Sequence, residues 1–147
     1  MKSEFMIRAI ELAHKAAAEG EVPVGAVIVK NGEIIGEGYN MREQKKNALS
    51  HAETEAINNA CKKLGDWRLD DCTIYVTLEP CPMCAGAIVN ARIKEVVFGA
   101  YDLSMGCIDS VTSITSLPFA EGTTVYGGVK EDECKKILTD FFEGVRK

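Results

Sequence analysis

Long hydrophobic runs are missing from this 147-residue sequence. The longest, Val22 to Val29, falls far short of the roughly 20 apolar residues that cross a bilayer, so no membrane span is expected. Positive charge is scarce as well. Seventeen Lys and Arg stand against 22 Asp and Glu, a net charge of −5. That balance argues against coating nucleic acid through a broad basic face. What basic residues there are cluster as Arg42, Lys45 and Lys46, as Arg92 with Lys94, and as Arg146-Lys147. For each cluster the plain reading is a solvated surface. No internal repeat, low-complexity stretch or Pro/Gly/Ser-rich linker divides the chain, and its length suits one domain, expected to run over residues 1–147. Nothing at Met1-Lys2-Ser3-Glu4 resembles a secretory signal, because a charged helical pattern follows. The six cysteines, Cys61, Cys72, Cys81, Cys84, Cys107 and Cys134, are then expected as reduced thiols in the cytoplasm rather than as a disulfide framework. Histidine is also rare: only His14 and His51 occur.

The apolar pattern predicts alternating helices and strands. Met6, Ile7, Ala9, Ile10, Ala13, Ala16 and Ala17 recur at helical spacing from Phe5 to Ala18, before Gly20. Val22 to Val29 is β-branched and almost wholly apolar, which suits a strand buried on both faces. Asn31-Gly32 then signals a tight hairpin returning through Ile34-Ile35 to Tyr39. Ser50 opens a second helix, with Ala52, Ala56, Ile57 and Ala60 as its inner stripe before Gly65. Cys72 to Leu78 reads as a buried strand, and Pro82 starts a helix running to about Ala91. Glu95 to Gly99 and Thr123 to Tyr126 read as short strands, and Lys130 to Phe142 as a closing amphipathic helix. The alternation predicts an α/β layered fold with helices on both sheet faces. From Tyr101 to Ala120 there is no clear period.

What the chain does have is a split constellation, His51-Ala52-Glu53 and Pro80-Cys81-Pro82-Met83-Cys84. Zinc takes Cys and His ligands tetrahedrally, and a catalytic zinc keeps one of its four positions open. His51, Cys81 and Cys84 therefore supply three metal ligands, and Glu53 supplies a carboxylate free to act on water. That water, or hydroxide, would be the fourth ligand of the Zn2+. Glu53 is expected as the catalytic general acid and base, taking a proton from the water, passing it to a ring nitrogen, and later protonating the departing amine.

Each part has a duller reading. Ser50-x-x-Glu53 also fits a capping box that merely satisfies a helix start. Cys-x-x-Cys alone could be a redox pair or half of a structural zinc site. A structural site needs four protein ligands, and the chain has no second Cys-x-x-Cys; Cys72 is the one plausible fourth ligand. The other cysteines read as small buried hydrophobes.

Together the two motifs match the H-x-E and P-C-x-x-C pattern of zinc nucleobase deaminases. Flanking runs sharpen the match: Glu21 through Val27, Gly36-Glu37-Gly38-Tyr39-Asn40, Trp67-Arg68-Leu69, Tyr75 through Gly86, Val97-Phe98-Gly99-Ala100 and Asp140-Phe141-Phe142. The chain resembles bacterial tRNA-specific adenosine deaminases, within the cytidine and deoxycytidylate deaminase superfamily. The resemblance implies a three-layer α/β/α cytidine-deaminase-like fold with a five-stranded mixed sheet, and a homodimer. It implies hydrolysis of adenosine to inosine at the tRNA wobble position, with the anticodon loop as partner. It implies Asn40 as a pocket residue touching the nucleoside, with Val22 and Leu78 as apolar walls. The stretch after Tyr101-Asp102, the run Phe119 to Thr123 and the ending Arg146-Lys147 depart from the family pattern, at places where the family grips RNA. The alternative carried beside tRNA is therefore a free nucleobase, nucleoside or related small aminated heterocycle. A zinc-stabilised scaffold is the third reading.

Overall fold

The computed structural model describes residues 3–146, without the side chains of Val145 and Arg146. The Met1-Lys2 opening and the Arg146-Lys147 cations read from the sequence thus lie outside the described side chains. Ten elements follow in order: α1 (Ser3–Ala18), β1 (Gly25–Lys30), β2 (Glu33–Tyr39), α2 (Arg42–Lys45), α3 (Ala52–Leu64), β3 (Cys72–Leu78), α4 (Pro82–Asn90), β4 (Glu95–Ala100), β5 (Thr124–Tyr126) and α5 (Glu131–Arg146). The sheet runs β2-β1-β3-β4-β5. β1 is antiparallel to both β2 and β3, whereas β4 is parallel to β3 and to β5. The expected five-stranded mixed sheet is therefore present.

Both faces of the sheet are covered. Ala26 and Ile28 point into one core with Ala56, Ala60, Ile88 and Ile74, beneath α3 and α4. Val27 and Val29 point into a second core with Met6, Ala9, Tyr75, Val97 and Ile137, beneath α1 and α5. The near-continuous apolar run of β1 exists because neither face meets water.

Two local features position the layers. Asn31 and Gly32 both take positive φ, 52° and 75°, as the tight hairpin turn between β1 and β2 requires. On β2, Gly36 and Gly38 face the α3 backbone so closely that a Cβ at either would strike Ala56, Ala60 or Ala52. Glycine on the strand and alanine on the helix let α3 lie directly on β2. Overpacking of this kind costs about 1–3 kcal/mol.

Several expectations shift. β1 begins at Gly25 rather than Val22, because Val22 and Val24 give their carbonyls to Asn40 instead of to a strand. Helix α3 is capped not by Ser50 with Glu53 but by His51, whose backbone N–H donates to Thr54 Oγ1 at 3.0 Å. Ser50 is already committed to Met41 and Asn47 through its backbone. The short α2 was not foreseen. The unplaced stretch holds two single 3₁₀ turns, Ile114–Ser116 and Pro118–Ala120, joined by loops.

Candidate active site

The carboxyl ends of β3 and β4, the start of β1 and the end of β2 lie at one edge of the sheet. Loops at such strand ends are where α/β sheets bind ligands. Here the segments leaving those strands supply Val22 and Val24, Asn40, Glu79 with Cys81, and Asp102. Helices α3 and α4 start at the same edge.

Their first residues carry an imidazole and two thiols that could hold a metal ion. His51 is the N-cap of α3, and Cys81 is the N-cap of α4, each with extended backbone. Cys84 falls at the third helical position of α4, and N-cap and third-position side chains share one end of a helix. This is why two intervening residues bring the thiols together. Pro82 occupies the first turn, where its missing N–H costs nothing. Across the two helices, His51 Nδ1 stands 3.7 Å from Cys81 Sγ and 3.6 Å from Cys84 Sγ. All three ligand atoms lie within 4.8 Å of one another. Tetrahedral zinc with Zn–S of about 2.3 Å and Zn–N of about 2.0–2.1 Å sets S···N edges of about 3.6 Å. The donor set fits zinc by geometry and by ligand chemistry. Among the described residues no fourth His, Cys, Asp or Glu joins the group, and Cys72 is buried elsewhere, beside Asp70. A closed structural site is thereby disfavoured.

The titrating groups are tightly linked. Hydrogen bonds from Cys84 and His51 pull the Cys81 thiol down to about 4, the thiolate state in which sulfur binds metal. The shared proton and burial push Cys84 up, and the same contact with Cys81 raises His51. Glu53 is 4 % exposed, and its burial raises the carboxyl to about 7, with the nearby Cys81 thiolate adding to the effect. Thr54, not Glu53, completes the cap, so the Glu53 carboxylate is released from that duty.

These groups border a pocket of about 230 Å³, lined also by Ala52, Arg42 and Met105. Val22 and Leu78 also line it. Asn40 lines the pocket, but its amide is half used: Nδ2 donates to the Val22 carbonyl at 3.2 Å, and Oδ1 accepts from the Arg42 N–H at 3.1 Å. Of the described basic residues picked out from the sequence, Arg42 alone reaches this pocket; Lys45 pairs with Glu55. A larger cleft of about 580 Å³ runs along α1, β2 and α3, lined by the Arg8–Glu37 ion pair, Lys15 and Lys63, with no thiol or imidazole. The imidazole, the Cys81 thiol and the Glu53 carboxyl border the smaller one.

Two buried carboxylates escaped the sequence reading. Glu21, 1 % exposed, accepts the Glu43 and Gln44 N–H groups and so anchors α2 beside the pocket. Glu79, 2 % exposed, gathers the loop beyond β4. The available signal was an acidic residue wedged between an apolar strand and Pro80-Cys81.

The family profile of MafB19-like deaminases matches residues 1–146. The tRNA-specific adenosine deaminase of Bacillus subtilis (strain 168) is 49% identical over 144 residues, covering 97% of this chain and 89% of the relative. The chain belongs to the tRNA-specific adenosine deaminase family. A solved structure from work on A-to-I editing by tRNA:A34 deaminases at the wobble position superposes with a TM-score of 0.89 at 39% identity, covering 93% of this chain and all of that one. The guanine deaminase of Bacillus subtilis matches at 48% identity and a TM-score of 0.65, over 69% of this chain and 66% of that one. The three-layer sheet of the family is thus the frame on which His51, Cys81, Cys84 and Glu53 meet.

Proposed function

We propose that this chain is one zinc-dependent deaminase unit that hydrolyses adenosine to inosine at the wobble position of tRNA, releasing ammonia. The observation that carries the reading is the convergence of His51 Nδ1, Cys81 and Cys84 beside the buried Glu53 carboxyl, at the wall of a pocket sized for one base. His51, Cys81 and Cys84 hold one zinc ion per subunit. Bound there, zinc supplies Lewis acidity that lowers the pKa of water toward about 7. Glu53 accepts one proton of the attacking water and delivers it to the ring nitrogen, then takes the second from the hydroxyl now bonded to the ring carbon and gives it to the amine as the C–N bond breaks and ammonia leaves. Val22 and Leu78 flank the flat base, which must be lifted out of the anticodon loop to enter. Asn40 keeps one amide hydrogen and one oxygen lone pair for the nucleoside.

The partner is the anticodon loop, in the cytoplasm, consistent with no described helix being long and apolar enough to cross a membrane. A homodimer is supported by α4. Its Cys84, Ala85 and Ile88 sit in the core, while Met83, Gly86, Ala87 and Val89 remain half-buried on the other side. A helix apolar all round calls for cover on both sides.

A specific observation favours the second reading, a small aminated heterocycle. Met105, from the segment that departs from the family pattern, lines the pocket, and the guanine deaminase likeness points the same way. The deciding experiment gives zinc-loaded protein an adenosine-34 stem-loop and, separately, adenine, guanine, cytosine and their nucleosides, with mass detection of amine-to-carbonyl exchange. Inosine in the stem-loop is the expected result. Turnover of a free base with an inert stem-loop would replace the tRNA reading by the second, and zinc-loaded silence on both would sink the enzyme.

A further inference from the structure

The stretch beyond β4, aperiodic as sequence, is organised around a single side chain. Glu79 leaves β3 one residue before Pro80 and two before Cys81, and its carboxylate is buried. Oε1 accepts the Asp102 N–H at 3.1 Å and the Ser110 hydroxyl. Oε2 accepts the N–H groups of Ile108 at 3.2 Å, Asp109 at 2.7 Å and Ser110 at 2.8 Å. Five donors from a nine-residue loop thus close on one carboxylate. The Cys107 N–H adds a bond to the Pro80 carbonyl at 2.9 Å, and Cys107 and Ile108 are buried in the α3/α4 core. Gly106 lies against the same carboxylate, and any Cβ there would collide with Glu79. From this loop Asp102 and Met105 reach the pocket, whereas His51, Glu53, Cys81 and Cys84 all belong to other segments.

We propose that Glu79 is a positioning residue for the deaminase pocket, its buried carboxylate fixing the 102–110 loop so that Asp102 and Met105 stand against the bound base. This deepens the proposed function and rests on it for its kinetic consequence. Its structural half is independent, because the loop is held whether or not tRNA is the substrate. Glu79 acts through the loop, so recognition depends on it and proton transfer does not.

The test uses the zinc-loaded full chain with Glu79→Gln. An amide keeps one accepting oxygen and turns the other position into a donor. Whichever way it flips, at least one backbone N–H among Asp102, Ile108, Asp109 and Ser110 loses its partner. Charge-assisted bonds of this sort are among the stronger ones, so KM for the substrate should rise by about tenfold or more, with kcat within about threefold and zinc near one per chain. Hydrogen exchange at those four amides should quicken by a similar factor of about ten, while the amides of β1 and β3 do not change. Ser110→Ala removes one donor and should move KM the same way by about threefold. It also keeps the proposal testable should Glu79→Gln fail to fold, as does Gly106→Ala, which displaces the carboxylate from the other side. Unchanged exchange at the four amides would overturn the proposal irrespective of substrate. A fall in kcat at constant KM, or loss of zinc, would assign Glu79 to the metal loop instead. If the wild-type chain leaves the stem-loop untouched but deaminates a free base, the proposed tRNA function fails, and the KM readout passes to that base.

Discussion

Glu53 and Glu79 are both buried carboxylates beside the pocket, 4 % and 2 % exposed, yet their environments push them in opposite directions. Around Glu53, burial dominates, and the carboxyl is raised to about 7. Around Glu79, burial presses the same way, but hydrogen bonds from Ser110, Asp109 and Asp102 outweigh it and hold the carboxyl below its ordinary value. Burial alone therefore does not decide what a carboxylate does; the count of donors aimed at it does. A carboxyl with few donors can exchange a proton near neutral pH and suits acid–base work. One with five donors is a fixed negative anchor.

The largest expected effect breaks the comparison at Glu53. Glu53→Gln keeps size and burial but cannot carry the proton, so kcat should fall by about 10²–10⁴-fold or more. Zinc should stay near one ion per chain, because His51, Cys81 and Cys84 are unaltered. Turnover within about threefold of wild type would remove Glu53 from the chemistry.

A smaller effect separates metal from fold. Cys84 is fully buried and touches both His51 and Glu53. At a thousandfold excess of zinc over Kd, binding to the native state alone should add about 4 kcal/mol to the wild-type unfolding free energy. In Cys84→Ala most of that increment should vanish in paired urea titrations with zinc and with chelator. An increment equal to that of wild type would strike Cys84 from the ligand set.

The two carboxylates also mark what could be read from the sequence. Cys81 and Cys84 were legible because their convergence is local, an N-cap and the third residue of the same helix. Asn31-Gly32 was legible because both residues adopt the positive φ their turn demands. Glu53 was legible through its spacing from His51, although the capping assignment that competed for it fell on the wrong pair. That error arose because Thr54 offers the same hydroxyl one position later, and Ser50 is tied down by Met41 and Asn47. Glu79 and Glu21 were silent because their partners come from 22 to 31 residues away. A loop built around a carboxylate has no apolar period, so 101–120 gave no pattern to read. The start of β1 was misjudged for a related reason, since the carbonyls of Val22 and Val24 are claimed by Asn40 across the hairpin.

The smallest effect sharpens the contrast, and it is one of sign. In metal-free protein the fold retains the Glu53 proton up to about 7, whereas an ordinary carboxyl releases it near 4.5. Between those values unfolding releases a proton, so the Glu53 contribution, complete below 4.5, is lost as pH rises to about 7. Glu53→Gln should therefore gain stability over wild type across that window and level off above it, by at most on the order of 3 kcal/mol. Glu79 behaves inversely. Its lowered carboxyl contributes stability above the ordinary value and loses it as pH falls through the folded-state value. Glu79→Gln should be destabilised at neutral pH, with the deficit closing in acid. Urea unfolding of chelated wild type and both variants from about pH 2.5 to 8 yields two difference curves that slope in opposite directions, for Glu53→Gln between 4.5 and about 7 and for Glu79→Gln below 4.5. Parallel slopes would mean that the five donors around Glu79 do not outweigh its burial, and the distinction between proton carrier and anchor would collapse.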